Sequence, residues 1–214
     1  MQVAVIGASG WLGGAVAAEA LRRGHEVTAI SRHVDTARRL EGARRVVADV
    51  TDHDSLVRAI AGHDAVVSAV TDRTTDDRSL IPKAARGLLR AVPEAGVPRL
   101  LVIGGGGSLE VEPGVRAVDQ PGFPPQYLNE ALAQAEALRI LETEARDVDW
   151  TYLSPPPHDL VAGERTGLYR AHAGNFPVID EHGESRITSG DFAAVLVDEL
   201  EEPRFSRRRF TAAS

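Results

Sequence analysis

The sequence predicts a doubly wound α/β fold: a mainly parallel sheet with helices on both faces. Three observations carry that expectation. Short apolar runs rich in β-branched residues alternate with amphipathic stretches of helical period along most of the chain. The opening stretch passes from such a run, Val3 to Ile6, through Gly7, Gly10 and Gly13 into a helical pattern. The chain's 214 residues suit a single domain with a sizeable core.

The glycine spacing gives the first element its meaning. A glycine at the first position allows a tight turn, one at the second lets backbone approach a pyrophosphate, and one at the third lets helix pack closely on strand. The helix beginning near Leu12 carries Val16, Ala20 and Leu21 on its apolar face and stops at Gly24, as a C-terminal cap should. Its unpaired N–H groups and positive dipole end point back at the turn, which is how a helix holds a phosphate. With the next strand, Glu26 to Ile30, this makes the start of a Rossmann-type dinucleotide site. Gly7, Ser9, Gly10, Trp11, Leu12 and Gly13 are its expected cofactor-binding residues.

After that second strand comes Ser31-Arg32-His33, where an NAD-preferring fold places an acid on the ribose hydroxyls. No acid stands there. Arg32 can donate a bidentate pair to a 2′-phosphate, with His33, Arg38 and Arg39 as helpers, so NADP(H) is expected over NAD(H).

The remaining elements follow in order. A strand from Arg45 to Ala48 ends at Asp49-Val50, where Asp49 is placed to accept from the adenine amino group and Val50 to cover the ring. Asp52 or Asp54 caps a helix through Leu56 and Ile60. The strand from Ala65 to Val70 ends in small residues, so backbone at Ala69 can lie against the cofactor ribose. Thr71 to Ser79 reads as a surface loop, followed by a helix from Ile81 to Val92 with Pro82 tolerated in its first turn. Leu100 to Ile103 is a fifth strand. Gly104 to Gly107 then remove side chains from one wall of a cleft, leaving room for a flat ring, and Ser108 follows. Residues 109–126 read as a loop, and a helix from Tyr127 to Ala145 has Leu128, Leu132, Ala135, Leu138 and Leu141 on one face. Trp150 to Leu153 is a sixth strand running into Pro155-Pro156-Pro157-His158, a rigid extended wall. Short strands and turns over 163–186 should cap the cleft, so that 109–126 and 155–190 form a small substrate cap on one domain spanning 1–214. A last helix begins at Ser189, and Arg209 to Thr211 suggest a closing edge strand.

Composition bounds the partners. A net charge of -7 and a pI near 5.5 argue against nucleic acid, and Arg207-Arg208-Arg209 reads as a solvated strand edge. Cysteine is absent and no apolar run approaches the roughly 18 residues of a membrane span, so a cytoplasmic monomer or homodimer with no membrane partner is expected. The histidines His25, His53, His63, His172 and His182 show no ligand spacing, and no metal is expected.

Taken with Ala48-Asp49-Val50, Gly96-Val97, Thr166-Gly167-Leu168-Tyr169 and Ser185-Arg186-Ile187-Thr188 with Asp191, these motifs resemble the atypical short-chain dehydrogenase/reductases. The group in question is the flavin reductase/biliverdin-IXβ reductase-like NAD(P)H-binding proteins of the NmrA-like superfamily. The resemblance implies a Rossmann sheet, NADP(H) along Gly7 to Gly13, and hydride transfer to a small planar acceptor over the nicotinamide. Two departures stand out. The Tyr-x-x-x-Lys pair of the larger family is missing, since Ala131 stands four residues after Tyr127 and Lys83 is the only lysine. The serine that follows the fifth strand in the flavin-reductase-like group aligns with Gly106, leaving Ser108 as a displaced candidate. The proline-flanked His158 survives, with an imidazole suited to proton donation near neutrality. The expected catalytic residues are therefore His158, Ser108 and Tyr127, with Gly104 and Pro155 against the cofactor. The expected function is NADPH-dependent reduction of a flavin, quinone or other planar conjugated acceptor. A redox sensor that binds NADP without turnover is the rival, and an NADP-dependent isomerase or dehydratase is a third reading.

Overall fold

A computed structural model describes residues 1–32, 40–72 and 78–214; His33, Arg38 and Arg39 lie outside the described residues. The first half runs β1 (Gln2–Ile6), α1 (Trp11–Arg22), β2 (Glu26–Ser31), β3 (Arg44–Val47), α2 (His53–Ile60), β4 (Ala65–Ser68), α3 (Leu80–Glu94) and β5 (Arg99–Ile103). A small antiparallel pair follows, β6 (Glu110–Glu112) and β7 (Val115–Arg116), then α4 (Pro125–Glu144) and β8 (Asp149–Ser154). The chain closes with β9 (Asp159–Val161), β10 (Arg170–Ala173), β11 (Arg186–Thr188), α5 (Ser189–Glu201) and β12 (Arg208–Ala213).

The main sheet has eight strands in the order β10-β12-β8-β5-β4-β1-β2-β3, all parallel except β10, which runs antiparallel to β12. The period of two along β1 sorts its side chains between two layers. Val3 and Val5 pack with Val16 and Ala20 of α1 and Phe192 of α5, while Ala4 and Ile6 pack with Leu56 of α2, Leu88 of α3 and Leu141 of α4. This is the doubly wound Rossmann-type α/β architecture. The strand order turns back between β1 and β4, and in such sheets the crevice at the carboxyl ends of those strands is where ligands bind.

Several expectations need correcting. β12 is not an edge strand: β10 pairs along it, Arg170 opposite Ala213 through Ala173 opposite Phe210. Consequently Arg209 is not solvated but only 7% exposed, although Arg207 and Arg208 are exposed. The stretch 109–126 is no plain loop, for it holds the β6–β7 pair and a 3-10 turn at Ala117–Asp119. α4 begins at Pro125, whose fixed φ suits a first helical position. Its buried face is set by Ala131, Gln134, Ala137, Leu138 and Leu141; Leu128, Leu132 and Ala135 are only partly buried. The reason is α3: Ile81 and Ala85 meet Ala133, Ala137 and Ile140, and small residues let the two helices approach closely.

Candidate active site

The opening turn is built as the glycines require. Gly7 has φ +79, and a Cβ there would sit 2.6 Å from the Ala69 carbonyl oxygen. A Cβ on Gly13 would lie 2.3 Å from the Gly7 carbonyl oxygen, so α1 rests directly on the turn. Gly10 differs: its Cβ would meet only the Gly7 oxygen, at 3.3 Å. Protein contacts thus demand glycine at 7 and 13 far more than at 10, where a shift of a few tenths of an ångström would admit a methyl beside the helix N-terminus. Gly10 caps α1 without a side chain and the first turn carries no acid, so nothing there competes with an anion for the N–H groups. A dinucleotide diphosphate fits that cradle. Ser9 is exposed on the same turn.

On the β2 side, Arg32 is exposed just beyond the strand. Asp49 Oδ1 accepts from the Thr51 N–H at 2.8 Å and the Thr51 hydroxyl at 2.7 Å. Those bonds, with a smaller contribution from the Arg32 charge, hold the Asp49 carboxyl below its usual range. Val50 is buried among the α2 and α3 side chains rather than open to a ring. Asp52, not Asp54, caps α2, accepting from the Ser55 N–H at 3.1 Å.

Beyond the turn lies a cleft of about 370 Å³, within the usual size of a small-molecule site. One wall is Gly10 to Gly13, with Trp11 47% exposed beside it; the floor is Gly104 to Gly107; the far wall is Pro155 to His158. Ala69, Val70 and Thr71 close the base, and Tyr127, Glu130, Ala131 and Gln134 of α4 face them with Phe123 and Pro124. The chain therefore brings Gly10, Trp11, Leu12, Gly13, Ala69, Gly104, Tyr127, Pro155 and His158 to one cavity. Arg32, Asp49 and Val50 stand outside its lining.

The glycine floor does more than leave a wall bare. A Cβ on Gly104 would fall 2.0 Å from the Tyr152 ring, one on Gly106 2.6 Å from the Pro155 carbonyl oxygen, and one on Gly107 2.8 Å from the Ala131 Cβ. Close packing by Tyr152 beneath, by the proline wall and by α4 forces glycine at these places, and the flat floor results from it. Tyr152, fully buried beneath, donates to the Gln134 main-chain oxygen at 2.9 Å and accepts from the Gly105 N–H at 3.1 Å. Burial pushes its phenol well above the ordinary range, so it stays protonated as a brace.

Ser108 does not join the site. It is 8% exposed, absent from the cleft lining, and its hydroxyl and carbonyl oxygens each accept from Arg209 Nη1 at 3.0 Å. The 3-10 turn at Gly106–Ser108 rotates it from the cleft toward β12. Cleft residues that the sequence did not single out include Thr71, Glu130 and Gln134. Thr71 donates to the Glu130 carboxylate across the cleft base. The spacing Tyr127, Glu130, Gln134 on one helix face was the available signal. Among the described residues no three His, Asp or Glu side chains gather as metal ligands, and no helix is long and apolar enough to cross a membrane.

A parallel sheet that reverses at β1 and β4, with a glycine cradle at that point, defines a nicotinamide-dinucleotide-binding Rossmann protein. The chain belongs to the NAD(P)H-binding family, whose model matches residues 7–203. YwnB of Bacillus subtilis (strain 168), itself uncharacterized, is 37% identical over 218 residues, covering 100% of this chain and 99% of that protein. The fold matches a Burkholderia pseudomallei protein provisionally assigned as exported, at 41% identity and TM-score 0.89, with 100% of both chains covered. It also matches SP1627 of Streptococcus pneumoniae TIGR4, provisionally assigned as an NADH-flavin reductase, at 34% identity and TM-score 0.88, covering 100% of this chain and 99% of that one.

Proposed function

We propose that this protein is an NADPH-dependent reductase that delivers hydride to a flavin, quinone or other planar conjugated acceptor. The observation that carries the reading is the continuity of the glycine cradle with the cleft: Gly10 to Gly13 form the phosphate end, and the same residues begin a flat-floored cavity walled by Trp11, Tyr127 and His158. The cofactor, when bound, supplies the hydride. The protein's part is to align the two rings and exclude water, which accounts for much of the acceleration of such transfers. His158, exposed at the cleft wall, is placed to give the proton that a two-electron reduction consumes with the hydride. Tyr127, 47% exposed, covers the acceptor from α4.

Preference for NADPH rests on Arg32 standing where an acid would serve NAD. The name given to the streptococcal relative specifies NADH, so this is a point at which the two proteins are expected to differ. Oxidation of NADPH with a panel of flavins and quinones tests the proposal. Turnover with at least one member supports it. Tight NADPH binding with none would favour a cofactor-sensing role, which Ala131 at the lysine position of the missing Tyr-x-x-x-Lys pair makes the second reading.

A further inference from the structure

Gln134 is an unusual residue to find in the middle of a helix that is otherwise lined with alanine and leucine. It is 6% exposed yet lines the cleft, wedged against Gly105, whose missing Cβ would lie 3.0 Å from the Gln134 Cβ. Its amide orientation is set by Val70, whose carbonyl oxygen accepts from Nε2 at 3.2 Å. A primary amide has two N–H donors and a carbonyl acceptor. One donor goes to Val70. Oε1 accepts at most a long contact, 3.4 Å, from the Tyr152 hydroxyl, whose shorter partner is Gln134's own main-chain oxygen at 2.9 Å. One N–H and at least one lone pair of the amide oxygen are thus left for an occupant of the cleft.

The neighbouring wall sharpens the point. Pro155, Pro156 and Pro157 have no backbone N–H, and the Pro155 and Pro156 carbonyls are turned onto Gly106. That wall offers a polar ligand no main-chain donor at these three residues. A buried group that can donate and accept from one position is complementary to a carbonyl flanked by an N–H, as a site built for such an edge rejects analogues lacking it.

We propose that Gln134 is a recognition residue that reads an amide-type edge of the ligand in the cleft. This rests on the reading above that the cleft holds a nicotinamide and a planar acceptor. Two sources supply that edge: the carboxamide of the nicotinamide, and the imide edge of an isoalloxazine acceptor.

Binding measurements separate them without requiring turnover. In the first arm, wild-type protein, Gln134→Met and Gln134→Glu are titrated with NADPH and with its 3-acetylpyridine analogue, in which a methyl replaces the amide nitrogen. In the second, each protein saturated with NADP+ is titrated with lumiflavin and with N3-methyl lumiflavin. A wild-type preference of about tenfold for the unmodified member of one pair, falling to near unity in Gln134→Met, supports the proposal and names the source. The near-isosteric Gln134→Glu keeps the side chain's size and an acceptor but loses the donor, and it stands in if the methionine variant does not fold. No preference in either wild-type pair, or a preference that both variants retain, overturns it. Failure of every acceptor to be reduced would defeat the reductase reading alone, since both arms are read as affinities.

Discussion

Gly13 lies so close beneath Gly7 that a Cβ on the first would overlap the carbonyl oxygen of the second at 2.3 Å. Gly10, three residues before, has no such overlap. Gly13→Ala should therefore lower the melting temperature and weaken NADPH binding together. Gly10→Ala should leave the melting temperature within a few degrees of wild type and still weaken NADPH at least tenfold, because the methyl stands where the diphosphate approaches. Thermal melts beside cofactor titrations check this, and equal damage to the fold by both variants would remove the distinction.

Under the proposed function, Arg32 sets the choice between the two nicotinamide cofactors. NADPH should bind wild type at least tenfold more tightly than NADH, and Arg32→Glu should reverse the order by repelling the 2′-phosphate. Fluorescence titration of both cofactors with both proteins checks it. A wild-type preference for NADH would contradict the assignment.

Under the proposed function, His158 gives the proton and adds nothing to cofactor binding. His158→Ala should reduce kcat about tenfold to a hundredfold with NADPH affinity changed less than twofold. Unchanged turnover would return the residue to an ordinary exposed loop position.

A buried ion pair at the far end of the sheet holds α5 to β5. Arg99 Nη2 donates to Glu199 Oε1 at 2.6 Å and to the Thr151 hydroxyl at 2.5 Å, while the Arg204 N–H donates to Glu199 Oε2 at 2.8 Å. Glu199→Ala removes the buried partner of the guanidinium and leaves it only the partly exposed Asp149, whose Oδ1 accepts from Arg99 Nη1 at 2.9 Å, and should cost about 2 to 3 kcal/mol. Adding Arg99→Met should recover part of that loss in urea melts; further destabilisation by the second change would count against the explanation.

Acid stability follows from Glu19. Its carboxylate, buried between α1 and α5, accepts from Arg22 Nε at 2.7 Å and from Arg23 Nε at 2.8 Å. The Arg22 bond is the largest cause, opposed by burial and reinforced by Arg23, and the result is a carboxyl lowered from 4.5 to about 2. Because the folded value lies below the unfolded one, the contribution is full above pH 4.5 and is lost as pH falls toward 2. On the order of 2 to 3 kcal/mol should disappear over that window, and Glu19→Gln should flatten this part of the stability profile when melts are followed from pH 6 downward.

The parts of this molecule that were legible in its sequence are those with local causes. The β1–α1 turn was readable because its three glycines lie within seven residues of one another at the spacing a strand-turn-helix cradle needs, and the alternation of apolar runs sorted strands from helices. The illegible parts depend on neighbours distant in the chain. Nothing near Arg209 in sequence says that β10 will cover β12, or that Ser108, a hundred residues earlier, will take its guanidinium. In sequence, Gln134 is one polar residue on a helix whose leucines mark its expected inner face. Only the close approach of α3 to its alanines turns that helix so that Gln134 meets the cleft. In sequence the four glycines suggest an empty wall, and the fold shows them as close packing whose by-product is a flat floor.

The most direct test of the central claim is a titration of wild-type protein with NADPH, followed by nicotinamide fluorescence and competed with inorganic pyrophosphate. The account predicts saturable binding of one NADPH per chain, weakened by pyrophosphate and by Gly10→Ala. No saturable binding at millimolar NADPH, or binding indifferent to both challenges, would contradict it.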